Sequence, residues 1–182
     1  MTWKHIYIIV IALYGVMDII FQKNKKSILT LKSKDRTYLP VLLTFVLTLI
    51  FIPFEFDFLH KHISWPLLIS GIIICIIATI VRLKGHFDLG YGFSTRVEKQ
   101  VNHKLVTSGI YRLIRHPMYL AIILLLTGAC IMLKTIFAWI FVIMNIYALT
   151  IRIKKEETFM IKNFPEYENY MNKTYKLIPY LY

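Results

Sequence analysis

Acidic residues are scarce: ten Asp and Glu stand against 22 Lys and Arg in 182 residues, a formal net charge of +12. Charge of either sign is thin, at 18% of the chain, while 57% is hydrophobic. A soluble domain of this length is ordinarily less apolar and more evenly charged. A nucleic-acid binder can share the basic balance, but it would not spend most of its length on Ile, Leu, Val and Phe, so no nucleic-acid partner is expected. The two cysteines, Cys75 and Cys130, each sit inside an apolar run and read as small buried hydrophobes. No Cys-x-x-Cys or Cys/His spacing suggests zinc or an iron–sulfur cluster. His60-x-His62 lies beside Lys61 and near Trp65 and reads as a polar interfacial turn, so no metal ligand is assigned. Neither a Gly-x-Gly-x-x-Gly turn nor a Walker sequence is present, which excludes a Rossmann-type nucleotide site. Serine-hydrolase and zinc-protease signatures are missing too, and no run alternates in polarity with period 2, which argues against a β-barrel.

What the chain has instead is long apolar runs: Ile6 to Phe21, Tyr38 to Phe54, Trp65 to Val81, Met118 to Leu133 and Thr135 to Ile151. No small-x-small cleavage site follows the first run; lysines follow it, as in a cytoplasmic stop, so it reads as a span and not a signal peptide. Sixteen or 17 residues per run is near the lower limit for a hydrocarbon core of ~30 Å, so flanking residues must lengthen the helices. The expected fold is all-α and polytopic, with about five transmembrane helices. It forms one membrane domain over residues 1–182: three helices in 1–81, then a motif region in 82–182 with a hairpin at 117–151 and a cytoplasmic C-terminal tail. Lys134 alone separates the last two runs, which predicts an antiparallel hairpin.

Nineteen of the 22 Lys and Arg fall in three segments: six in 22–37, seven in 82–115 and six from Arg152 onward. Lys4, Lys61 and Lys134 lie one on each opposite segment, so the positive-inside rule places the N-terminus outside and the C-terminus in the cytoplasm; a bacterial cell membrane is the expected location. Asp18 is the odd acid of the first run. An acid within a span is a functional candidate by default, but its place near the polar end favours a reach to the interface or a nearby lysine.

Leu105 to Tyr119 packs Tyr111, Arg112, Arg115, His116 and Tyr119 into nine positions. With Pro117 at the first helical position, His116 becomes the cap, and the free amides there favour an anion. Arg112 and Arg115 suit a carboxylate or phosphate; equally, they are ordinary members of a basic loop gripping lipid headgroups. Across the hairpin, Arg152 and Glu156 stand one turn apart and can pair, with Glu157 beside them. Tyr167 and Tyr170 share a helical face, where interfacial anchoring is the plainer reading.

These elements in order, Leu105-Val-Thr-Ser-Gly-Ile-Tyr-Arg112, Arg115-His-Pro-Met-Tyr119, Arg152 with Glu156-Glu157, then Phe164, Tyr167, Tyr170 and Pro179, resemble the isoprenylcysteine carboxyl methyltransferase family, which extends to phospholipid N-methyltransferase-like enzymes. Leu89-Gly90 and Phe93-Ser94 look like the family's entry into this region. The likeness covers roughly Arg82 to Pro179. Ala121 and Pro165 replace glycines common in the pattern, and Val97 to Lys104 is a longer basic insertion at the expected substrate entrance. The resemblance implies S-adenosylmethionine as cofactor at the cytoplasmic face and a lipophilic or prenylated acceptor arriving from among the membrane lipids. It implies cofactor contacts from Leu105, Val106, Gly109, Tyr111, His116, Pro117, Tyr119, Glu156 and Glu157, with Arg115 or Arg152 orienting a carboxylate. For an amine or thiol acceptor, His116 or a glutamate is the candidate base. A non-enzymatic lipid-binding or transport protein is the rival class; a sterol-reductase-type enzyme, the rival enzyme, would need a longer chain.

Overall fold

The computed structural model describes residues 3–23, 36–59, 62–89 and 105–179. Among these residues six α-helices follow in order: α1 (Trp3–Lys23), α2 (Tyr38–Phe58), α3 (Trp65–Leu89), α4 (Pro117–Met132), α5 (Ala138–Asn163) and α6 (Tyr167–Lys173), with a short 3-10 turn at Gly109–Arg112 before α4. Among the described residues there is no strand, only a parallel bridge between Ile114 and Tyr175. The stop-like lysines of 25–34, His60 and Lys61 of the histidine pair, Gly90, Phe93, Ser94 and the Val97–Lys104 insertion lie outside the described residues.

Among the described residues three helices, α1 through α3, are long and apolar enough to cross a membrane. Their outward faces carry large apolar side chains such as Ile8, Leu13, Ile19, Leu43, Ile50, Ile73 and Ile80, all well exposed. The polar groups turn inward, as expected where water is not available to satisfy them. At 16 residues α4 is apolar but short, about 24 Å at the standard rise. It survives by being wrapped: Ala121, Leu125, Leu126, Ala129 and Cys130 are fully buried. The start of α4 meets the late part of α5, so the two form the expected antiparallel hairpin.

Close approach of α3 and α4 depends on two glycines. A Cβ on Gly71 would lie 2.5 Å from the Met132 amide nitrogen and 2.6 Å from the Gly128 carbonyl; one on Gly128 would lie 2.8 Å from Cys75 Sγ. This is the small-residue contact by which helices pack in lipid, where no hydrophobic force separates helix from solvent. α2 is tied to α5 by Asn145, whose Nδ2 donates to Val41 O at 2.9 Å and to Thr44 Oγ1 at 2.8 Å.

Three sequence expectations need correction. The hairpin turn is not Lys134 alone but residues 133–137, with Lys134 at φ 51°. Glu55, only 2% exposed, organises it by accepting the amides of Ile136, Phe137 and Ala138 at 2.6, 3.0 and 2.9 Å. The carboxylate thus satisfies the orphan donors and the positive end of α5. Second, α3 does not stop at Val81 but runs to Leu89. Third, Asp18 meets Arg82 and His86 of α3, at 2.6 and 2.9 Å, partners that the sequence expectation did not name. The last two share one cause. Arg82 and His86 are one turn apart on α3, and Asp18 of α1 lets both stay buried in a helix that continues past the apolar run.

The glycine contact yields the first prediction. Gly71→Leu should lower the thermal unfolding midpoint of the detergent-solubilised protein, by a loss of roughly 2 kcal/mol or more, because the obstruction is backbone and cannot rotate away. An unchanged midpoint would mean that α3 and α4 are not in this register.

Candidate functional site

The site lies where the segment entering α4 meets the end of α5 and the tail. Pro117 occupies the first position of α4 and His116 is its N-cap, an arrangement proline favours because its missing N–H is not needed there. The 3-10 turn before it is pinned from α3. Gly109 has φ +60°, and a Cβ there would fall on the Asp88 carboxylate. That same carboxylate accepts the Ile110 amide at 2.6 Å. Only glycine fits, for conformation and for space.

Beyond its apolar half, α5 continues as a helix and presents Arg152, Glu156 and Glu157 toward α4. Glu156 pairs with Arg152 Nη2 at 3.1 Å, accepts the Tyr119 hydroxyl, and lies 3.7 Å from His116 Nδ1. Arg152 Nε donates to the same Tyr119 hydroxyl at 2.7 Å, and its guanidinium sits 5.9 Å from the Tyr119 ring centre. The His116 and Tyr119 rings stack at 5.6 Å and 13°. Glu157 meets Arg115 Nε at 3.0 Å, His116 Nε2 at 3.3 Å and Lys176 Nζ at 3.7 Å.

The tail closes over this end of the hairpin. The Arg115 and His116 amides donate to Tyr175 O and Lys176 O at 2.8 and 3.1 Å, and the Tyr175 amide donates back to Leu113 O at 2.9 Å. Arg115 Nη1 reaches the carbonyls of Met171 (2.9 Å) and Thr174. Tyr167 and Tyr170 are buried with Phe164 against Leu105, so they form a core and not an exposed interfacial anchor. The Tyr170 hydroxyl donates to Tyr111 O at 2.6 Å. Burial pushes the Tyr170 hydroxyl up to about 12 and raises those of Tyr167 and Tyr111, which keeps all three as donors.

The residues singled out in the sequence are therefore distributed unevenly. Arg115, His116, Tyr119, Arg152, Glu156 and Glu157 converge on each other, with Pro117 buried beneath. Tyr111 and Leu105 join through the tail tyrosines. Val106 is half-buried at the edge, and Arg112 is exposed. Sequence reasoning missed Asp88, Tyr170 as a backbone donor, and Arg82 and His86. Arg82 and His86 were legible only as an i, i+4 polar pair at the end of an apolar run. For Asp88 no local signal exists, because its partner is 22 residues away.

For Glu157, burial alone would raise the pKa, but the His116 hydrogen bond and charge, the Arg115 hydrogen bond and Lys176 outweigh it and bring it to about 2. A depressed carboxylate stabilises the fold above its ordinary pKa and loses that contribution as pH falls through the folded value. Stability should thus decline between about pH 4.5 and 2, and Glu157→Gln should flatten that part of a pH–unfolding profile. Arg115→Met should cost about 3 kcal/mol by leaving a buried carboxylate short of a partner, and the double variant with Glu157→Gln should recover only the part that belongs to that pair, because the Met171 and Thr174 carbonyl contacts stay lost.

Comparison with known proteins matches residues 71–162 to the isoprenylcysteine carboxyl methyltransferase family. A probable protein-S-isoprenylcysteine O-methyltransferase of Oryza sativa subsp. indica is 30% identical over 123 residues, covering 64% of this chain and 63% of the rice protein. Protein-S-isoprenylcysteine O-methyltransferase B of Arabidopsis thaliana is 26% identical over 179 residues, covering 96% of this chain and 86% of that protein. The Saccharomyces cerevisiae enzyme of the same name is 29% identical over 119 residues, 62% of this chain and 49% of the yeast protein. The chain thus spans just under two thirds of the rice relative's length.

Proposed function

Because the chain belongs to the isoprenylcysteine carboxyl methyltransferase family, we propose that it is a multi-pass membrane enzyme that moves a methyl group from S-adenosylmethionine to the carboxylate of a lipophilic, isoprenylcysteine-like acceptor. The observation that carries this reading is the convergence of Arg115, His116 and Tyr119 with Arg152, Glu156 and Glu157 at one end of the hairpin. The charge asymmetry supports five spans with that end in the cytoplasm and the N-terminus outside.

The donor set fits the cofactor. Glu156 and Glu157 offer carboxylate oxygens for an ammonium and for ribose hydroxyls, and the stacked His116 and Tyr119 rings offer faces to a sulfonium. To the adenosine we assign Leu105, Val106, Gly109, Tyr111 and Pro117. When bound, the cofactor supplies an electrophilic methyl group. The chain's own work is positioning and exclusion of water, from which an in-line displacement gains most of its acceleration; the buried Phe164, Tyr167 and Tyr170 cover supports the second. A carboxylate is already ionised and needs only orientation. Arg115, held by tail carbonyls, and Arg152, held by Glu156 and the Tyr119 hydroxyl, are the two candidates for that orientation. For an amine or thiol acceptor, His116, with its two nitrogens 3.7 and 3.3 Å from Glu156 and Glu157, is placed to act as base.

Isothermal titration in native-like lipid tests the cofactor. Folded wild-type protein should bind S-adenosylmethionine, whereas Glu157→Ala and His116→Ala should insert normally and bind none. Absence of binding by folded wild type would sink the methyltransferase reading, and normal binding by both variants would sink the site assignment.

A further inference from the structure

A second polar cluster borders Tyr119 and has no part in the site just described. Asp18 of α1 is held by Arg82 Nε at 2.7 Å, Arg82 Nη2 at 2.6 Å and His86 Nε2 at 2.9 Å. Arg82 Nη1 continues to Met118 O at 3.2 Å, so the cluster touches the first turn of α4, one residue from Tyr119. Tyr14 stands one turn before Asp18 on the same face of α1, with the Arg82 guanidinium 5.9 Å from its ring centre. Tyr14 is 5% exposed, packed with Cys75, Ala78 and Leu125. Its buried hydroxyl has no hydrogen-bond partner among the described residues. A phenol in such a wall ordinarily finds one, and phenylalanine would pack as well.

We propose that the Tyr14 hydroxyl donates to an oxygen of the acceptor's carboxyl head, making Tyr14 a specificity-determining residue for the reaction proposed above, on which this inference rests. Asp18 offsets the charge of Arg82 and holds its guanidinium against Met118 O, so this corner offers an oriented hydroxyl beside a neutralised pair and not a second bare cation. The apolar residues around Tyr14 suit the lipophilic part of the same molecule. α1 thereby becomes part of the site, although the first 70 residues of the chain lie outside the family match.

The test is Tyr14→Phe in lipid nanodiscs, with N-acetyl-S-farnesylcysteine as probe and the same farnesyl thioether lacking the carboxyl as control. Probe binding should weaken about tenfold, the usual scale for one hydrogen bond to a charged group. Affinity for the control and for S-adenosylmethionine should not change, and the unfolding midpoint should not fall, because the lost hydroxyl has no protein partner. Equal probe affinity in wild type and variant, no probe binding by wild type, or a fall in midpoint and cofactor affinity together would each overturn the assignment. Methyl transfer to the probe is read separately: the binding contrast without transfer would refute the proposed function while the Tyr14 subsite stands.

Discussion

Everything at the functional end depends on two adjacent glutamates on α5 being matched by cations from elsewhere in the fold. Two neighbouring carboxylates at a membrane surface repel each other and are costly to bury unless each is separately paired. Here they share only His116 and otherwise take different partners: Glu156 takes Arg152 and Tyr119, Glu157 takes Arg115 and Lys176. Those partners come from α4's entry, from α5 itself and from the tail, so forming the pairs determines where all three lie. The short parallel bridge at Ile114 and Tyr175 is the backbone expression of the same constraint.

Deeper in the helices the same logic recurs at lower density. Asp18 with Arg82 and His86, Glu55 with the first amides of α5, and Asn145 with Val41 and Thr44 each join two helices through one polar side chain. In lipid such groups have no water to turn to, so each contact selects one arrangement of its helices out of many that would bury similar apolar area. Gly71 and Gly128 then set how near α3 and α4 come, and burial of Leu125, Leu126 and Ala129 follows from that distance.

Much of the site was readable in the sequence because its parts are local. Arg115-His116-Pro117 carries its own capping chemistry, and Arg152 and Glu156 pair across one turn wherever that stretch is helical. The hairpin brought the two halves together, since only a short turn separates the runs. What escaped was non-local. Asp88 acts on Gly109 and Ile110 across 22 residues, Tyr170 on the backbone of Tyr111 across 59, and Glu55 on α5 across more than 80. Tyr167 and Tyr170 read as interfacial anchors because an amphipathic ring looks the same in a sequence whether it faces headgroups or a core.

By itself the sequence determined that this protein is helical and apolar, that its basic residues alternate between segments, and that a compact polar motif precedes the fourth apolar run. Those are consequences of composition and of spacing within a few residues, which the helix repeat converts directly into faces. Tertiary structure alone decided that α3 outlasts its apolar run, that Asp18 belongs to Arg82 and His86, and that the tail tyrosines are buried. A buried charge is stable only when a partner meets it, and which partner arrives is set by how helices distant in the chain pack.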